Sequence, residues 1–151
     1  MTQVVDKRVG AQALVLFLVD DEPSVLRTLA RAMTHLGHKV RTFGKPDDAL
    51  AAFEDERPDA VISDYYMPGT SGVSFLEKVA EKDPEVGRVI LTGGFVDERL
   101  QKAQENGIVQ ILVIKPWSAY TLRRMLEHLR AAMMRPHGGA AACVAGTHRR
   151  S

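Results

Sequence analysis

Five short apolar runs, separated by amphipathic stretches of helical period, constrain this chain more than any other feature of its sequence. The runs are Leu14–Val19, Val40–Phe43, Ala60–Ser63, Val86–Leu91 and Val109–Ile114. The first and last are nearly continuous and rich in Val, Ile and Leu. That is the pattern of strands buried on both faces, hence parallel strands inside a sheet. After the first run, Pro23 sits near a first helical turn. Val25, Leu26, Leu29, Ala32, Met33 and Leu36 then form a stripe that Gly37 stops. Pro46, Asp47 and Asp48 open a second helix with Ala49, Leu50 and Phe53 inward. A third opens at Ser71 or Gly72 and runs through Val73, Leu76, Val79 and Ala80 to Asp83–Pro84. A fourth spans roughly Val96 to Glu105, closes at Asn106–Gly107 and has few apolar members beyond Leu100 and Ala103. A fifth runs from about Ser118 to Met134, with Tyr120, Leu122, Met125, Leu126, Leu129 and Met133 inward. Strand and helix alternate five times. The expected class is therefore α/β, a doubly wound (βα)5 fold with a five-stranded parallel sheet, because each crossover must be right-handed and covered.

Composition sets the context. A chain of 151 residues that is 45% hydrophobic and 26% charged can bury a core, and is neither fibrous nor disordered. A net charge of +1 gives no global pull toward nucleic acid or anionic membrane. The longest apolar stretch, Ala13 to Val19, is too short to cross a bilayer and lacks signal-peptide flanks, so a cytoplasmic location is expected. The single cysteine, Cys143, excludes an internal disulfide and a cysteine-based zinc site. Residues 1–12 read as a loose lead-in and 13–134 as the globular domain. Residues 135–151 carry Arg135, Arg149 and Arg150 with no acid, and read as a solvated tail or linker stub with an exposed, incidental Cys143. Nothing after Met134 is long or apolar enough to fold as an output module.

In an open parallel sheet, ligands bind beyond the C-terminal strand ends. Asp20-Asp21-Glu22 follow the first run, Asp64 the third, Thr92-Gly93-Gly94 the fourth and Lys115-Pro116 the fifth. Taken singly, each has a plain structural explanation. Acids before a helix cap it or face its dipole, Asp64 precedes the turn at Met67-Pro68-Gly69, Thr92 is a β-branched strand end, and a lone lysine is usually surface. Jointly, an acid pair, an acid, a hydroxyl and an ammonium at successive strand ends, with no such set at the opposite ends, point to one site. Clustered carboxylates repel unless a cation joins them, and oxygen ligands without His or Cys suit Mg²⁺. A lysine and Mg²⁺ together neutralise a phosphoryl group in flight. An aspartate can be the nucleophile, forming an aspartyl-phosphate. The Thr92 hydroxyl and nearby N–H groups could hold phosphoryl oxygens, and Gly93 leaves room for them.

The sequence resembles the receiver domain of two-component response regulators, the CheY-like, flavodoxin-like fold, over about Leu14 to Met133. The resemblance rests on Val19-Asp20-Asp21-Glu22-Pro23, on Asp64 with Met67-Pro68 and Gly72 downstream, on Leu91-Thr92-Gly93 and on Lys115-Pro116. It implies strand order 2-1-3-4-5 and a cis Lys115-Pro116 bond. It implies Asp64 as the phosphoacceptor from a histidine kinase or histidine phosphotransfer protein. Mg²⁺ would be held by Asp21, Asp64 and the backbone carbonyl of Tyr66, with Asp20 acting mainly through water. Lys115 would contact the phosphoryl group and Thr92 would move to bond it. The expected module is not an enzyme in the ordinary sense, binds neither nucleic acid nor membrane, and signals or homodimerises through its fourth helix, fifth strand and fifth helix. One position departs from the family: the usual aromatic three residues before the lysine is Leu112, so coupling is expected through backbone and packing around Phe95 and Leu100. Two other readings use the same residues. One is a degenerate receiver serving as a dimerisation or docking module. The other is a haloacid-dehalogenase-like phosphatase with Asp64 or Asp20 as nucleophile, whose second Asp, two residues on, is here Tyr66 or Glu22.

Overall fold

The computed structural model describes residues 12–134 and 142–144. The elements, in chain order, are β1 (Val15–Val19), α1 (Pro23–His35), β2 (Lys39–Phe43), α2 (Pro46–Ala52), β3 (Ala60–Asp64), β4 (Tyr66–Met67), β5 (Thr70–Ser71), α3 (Gly72–Lys82), β6 (Gly87–Thr92), α4 (Glu98–Glu105), β7 (Ile111–Ile114), α5 (Ala119–Met134) and β8 (Ala142–Val144). The main sheet is ordered β2-β1-β3-β6-β7-β8, and β4 and β5 form a separate two-stranded hairpin. All pairings in the main sheet are parallel. Its first five strands reproduce the expected order 2-1-3-4-5 once the hairpin is set aside.

Alternation along each strand divides the core into two layers. Leu16 and Leu18 of β1, Ile62 of β3, Val89 and Leu91 of β6 and Val113 of β7 pack with Leu26, Leu29 and Met33 of α1 and Leu122, Met125, Leu126 and Leu129 of α5. Phe17, Val19, Val61, Ile90 and Leu112 face the other way, toward Ala49 and Ala52 of α2, Phe75, Leu76 and Val79 of α3, and Leu100 and Ala103 of α4. Trp117 packs at the edge of the first layer. Both faces are thus covered, which is why β1 and β7 read as continuous apolar runs.

Helix ends follow local chemistry. Pro23 occupies the first turn of α1, and Gly37, at φ 98°, supplies the left-handed residue that turns the chain toward β2. Ser71 caps α3 by accepting from the Ser74 N–H at 3.1 Å. Helix α4 begins at Glu98, two residues later than the expected Val96, because Asp97 caps it by accepting from the Leu100 N–H. Two residues expected inward on α5 are not. Tyr120 is 65% exposed, since it lies two positions before Leu122 and so faces the opposite side of the helix. Met133 is 41% exposed. It lies one turn beyond Leu129, whose side chain already sits over Gly87 at the start of β6, so the last turn overruns the sheet.

A sixth strand extends the sheet at β7. Residues 142–144 pair in parallel register, Ile111 with Ala142, Leu112 with Cys143 and Val113 with Val144. Three residues are too few to give a periodic signal, and they fall inside the segment expected as a tail. The remainder of 135–151, the side chain of Cys143 and the lead-in at 1–11 lie outside the described residues. Among the described residues, no helix is long and apolar enough to cross a membrane.

At the N-terminal pole of the sheet, Arg88 is buried. Its guanidinium donates to the carbonyls of Ile108, Pro84, Val86 and Gly107 at 2.9–3.1 Å. One side chain therefore binds the α3–β6 connection to the α4–β7 connection.

Candidate functional site

Four parallel strands end side by side at the C-terminal pole, and each delivers a polar group there. Beyond β1, Asp20 is buried. Its Oδ1 accepts from the Glu22 N–H at 2.9 Å, while its Oδ2 is buried with no partner among the described residues. Asp21 beside it is exposed and borders a cleft of about 630 Å³ floored by Leu50, Met67 and Phe75. Asp64 ends β3. Ligand oxygens of Asp20, Asp21 and Asp64 all lie within 4.8 Å of one another. Lys115 follows β7, and its Nζ donates to Asp64 Oδ1 at 3.0 Å. Thr92 ends β6 at 1% exposure, its Oγ1 without a partner among the described residues. Its carbonyl accepts from the Lys115 N–H at 2.7 Å, so these two groups ride on neighbouring strand ends. The Lys115–Pro116 bond is cis.

The five side chains expected to converge, Asp20, Asp21, Asp64, Thr92 and Lys115, are brought together at this pole. Tyr66, expected through its backbone, opens the β4–β5 hairpin opposite Ser71 and turns a 63% exposed side chain to solvent. Gly72 has a steric reason for its place. A β-carbon there would collide with the Asp64 carbonyl and come within 2.6 Å of Ile90 Cδ1. Only glycine lets α3 start directly against the strand that carries Asp64.

Charge in the cluster is unbalanced. Burial pushes the Asp20 carboxyl above its ordinary value of 3.8; the Glu22 N–H works against that, and the charges of Asp64 and Asp21 add to it. Among the described residues, three acids face one ammonium, every donor is oxygen, and a buried carboxylate oxygen lacks a partner. That donor set fits a hard divalent cation such as Mg²⁺.

Reading the sequence alone missed two residues. Tyr65, next to Asp64, is buried. Its hydroxyl donates to both carboxylate oxygens of Asp97 at 2.9 Å, and burial pushes that hydroxyl up to about 12. Asp97 is the cap of α4. The partners lie 32 residues apart, and no spacing rule links them. Only the Asp at a helix start could have been singled out.

The chain is similar to known proteins in sequence and in fold. Residues 16–127 match the family model of the response regulator receiver domain. The chain is 29% identical over 130 residues to the probable transcriptional regulatory protein TcrX of Mycobacterium tuberculosis, spanning 85% of this chain and 53% of that one. It is 36% identical over 118 residues to the DNA-binding transcriptional regulator NtrC of Proteus hauseri, spanning 76% of this chain and 25% of that one. It thus spans about half of one relative and a quarter of the other. Among solved structures, the fold resembles chemotaxis protein CheY4 of Vibrio cholerae, with TM-score 0.71, 24% identity, and 78% and 98% of the two chains covered. A Neptuniibacter caesariensis protein superposes with TM-score 0.70 at 31% identity, covering 83% and 97%. Because the family match runs unbroken through all four strand ends that build the site, the chain belongs to the response regulator receiver domain family of two-component systems.

Proposed function

We propose that this receiver domain takes a phosphoryl group onto Asp64 from a phosphohistidine of a cytoplasmic histidine kinase or phosphotransfer protein. The observation that carries this reading is the convergence of three carboxylates within 4.8 Å with the Lys115 ammonium 3.0 Å from Asp64. A carboxylate oxygen of Asp64 attacks phosphorus. The phosphorus–nitrogen bond of the donor breaks, its electron pair returns to the imidazole, and an acyl phosphate forms on Asp64. Asp20, Asp21, Asp64 and the Tyr66 carbonyl would hold Mg²⁺, which supplies charge neutralisation at the phosphoryl oxygens when bound. Lys115 neutralises the same oxygens from β7. Thr92, with its hydroxyl unpartnered and buried, donates to one of them once it moves inward. The face that carries the signal onward is α4, β7 and α5, with β8 along its edge, and it is where a partner or second copy docks.

Incubation with acetyl phosphate and Mg²⁺ should add one phosphoryl mass to the intact protein. EDTA should abolish the addition, and so should Asp64→Asn. An Asp64→Asn protein that still gains the full mass would refute the assignment.

A further inference from the structure

Among the described residues, one polar tie joins the end of the strand that bears Asp64 to the helix expected to signal. Tyr65 follows Asp64 directly, and its hydroxyl holds both oxygens of Asp97 at 2.9 Å. Asp97 is the N-cap of α4, accepting from the Leu100 N–H at 2.9 Å. Downstream of it, α4 buries only Leu100 and Ala103. Upstream, residues 93–96 make no hydrogen bond among the described residues. A β-carbon on Gly94 would meet nothing within 4 Å, and Phe95 is 78% exposed. The start of α4 is therefore held by the buried Leu100 side chain, the Tyr65–Asp97 bond, and Arg99, which donates to Ser74 Oγ at 2.7 Å. Leu112, below α4 in the same apolar layer, has no group that could hydrogen-bond to it.

This connection begins at Thr92, whose buried hydroxyl lacks an acceptor among the described residues. A phosphoryl oxygen on Asp64 would supply one and draw Thr92 toward β3. The 93–97 connection would follow it, and Asp97 is that connection's far end. We infer that the Tyr65–Asp97 hydrogen bond is a latch holding α4 in one position, and that phosphoryl binding at Asp64 opens it. Tyr65 is thus a positioning residue that acts on α4 through Asp97. The coupling rests on the reading of Asp64 as phosphoacceptor.

Linkage makes the latch testable. If occupancy at Asp64 opens the bond, removing the bond must favour occupancy by the same factor. Beryllofluoride with Mg²⁺ is the probe, and the full-length chain is the material. Tyr65→Phe keeps the ring and removes the hydroxyl. Asp97→Ser keeps an oxygen to cap Leu100 but is too short to reach Tyr65. Each variant should bind beryllofluoride more tightly, on the order of fivefold. In the absence of beryllofluoride, amides at 98–105 should exchange on the order of tenfold faster than in wild type, with β1 and β3 unchanged. The double variant should gain little beyond either single one. A purely structural hydroxyl would loosen α4 without tightening beryllofluoride, and that result overturns the latch. So does equal affinity in wild type and Tyr65→Phe. If beryllofluoride fails to bind wild type, or binds Asp64→Asn equally well, the phosphoacceptor reading falls and the coupling with it.

Discussion

Replacing Asp20 with Asn separates the cost of the acidic cluster from its use. The substitution is nearly isosteric, and the remaining amide oxygen can still accept from the Glu22 N–H, as Oδ1 does at 2.9 Å. What changes is charge. Two unit charges 4.8 Å apart repel by about 3.5 kcal/mol at an effective dielectric of about 20. Lys115 beside Asp64 and the adjacency of Asp20 and Asp21 in the unfolded chain both reduce the difference. A net gain of about 1–2 kcal/mol on removing the charge is therefore expected in EDTA, which raises the melting temperature by roughly 4 °C. Mg²⁺ should reverse the ranking. The wild type gains about 2.7 kcal/mol at a hundredfold excess of free metal over its Kd, and the variant, one carboxylate short, gains less. Thermal melts of both proteins in EDTA and across a Mg²⁺ series measure this directly. An Asp20→Asn protein that melts lower than wild type in EDTA would refute the reasoning, because it would mean that the buried carboxylate is held by favourable contacts and not forced against its neighbours.

Three further outcomes concern residues outside the acidic cluster itself, two of them remote from it and one, Gly72, packed against Asp64. Burial, with Arg130 nearby, holds His38 below its ordinary value of 6.5, and its Nδ1 accepts from the Leu14 N–H at 3.0 Å. Stability from this group is therefore present above pH 6.5 and lost as pH falls through the depressed value; urea melts at several pH values should show that loss in wild type and not in His38→Gln. Gly72→Ala should cost about 2 kcal/mol in the same melts, while Gly44→Ala, which meets nothing within 4 Å, should be near neutral. Arg88→Met leaves carbonyls at 84, 86, 107 and 108 without their donor and should cost about 3 kcal/mol; a loss under 1 kcal/mol would mean that water replaces the guanidinium.

Four of the five long strands, β1, β3, β6 and β7, were legible because each is apolar enough to be buried on both faces. Strand β2, half-buried to exposed at the end of the sheet, was legible only through Val40 and Phe43. Most of the site was legible because its groups follow the buried strands in sequence. Asp20, Asp64, Thr92 and Lys115 needed only the rule that open parallel sheets bind at their C-terminal ends. Where tertiary contacts decide, the sequence was mute. Val96 resembles the start of an amphipathic helix, but the Asp97 side chain ends the preceding loop one residue later. Tyr120 sits among apolar residues, and only the phase of the α5 stripe, fixed by Leu122, Met125 and Leu129, turns it to solvent. Arg88 stands inside an apolar run, and its cage of carbonyls is made by two loops distant in the chain. Tyr65 and Asp97 meet only because β3, β6 and α4 are neighbours.

The carbonyl cage around Arg88 has a mechanical consequence for α4. Gly107 and Ile108 follow the helix by two and three residues, and both are fastened to Arg88. The C-terminal end of α4 is thereby a fulcrum set in the sheet. Its other end rests on a single tyrosine hydroxyl, an arginine contact and one leucine. An eight-residue helix is about 12 Å long. With one end fixed, a shift of about 2 Å at Asp97 becomes a tilt of roughly 10°. Helix α4 is thus anchored as a lever is: were its start released, it would pivot about the Gly107–Ile108 end, and the side chains along Glu98–Gln101 would sweep the widest arc.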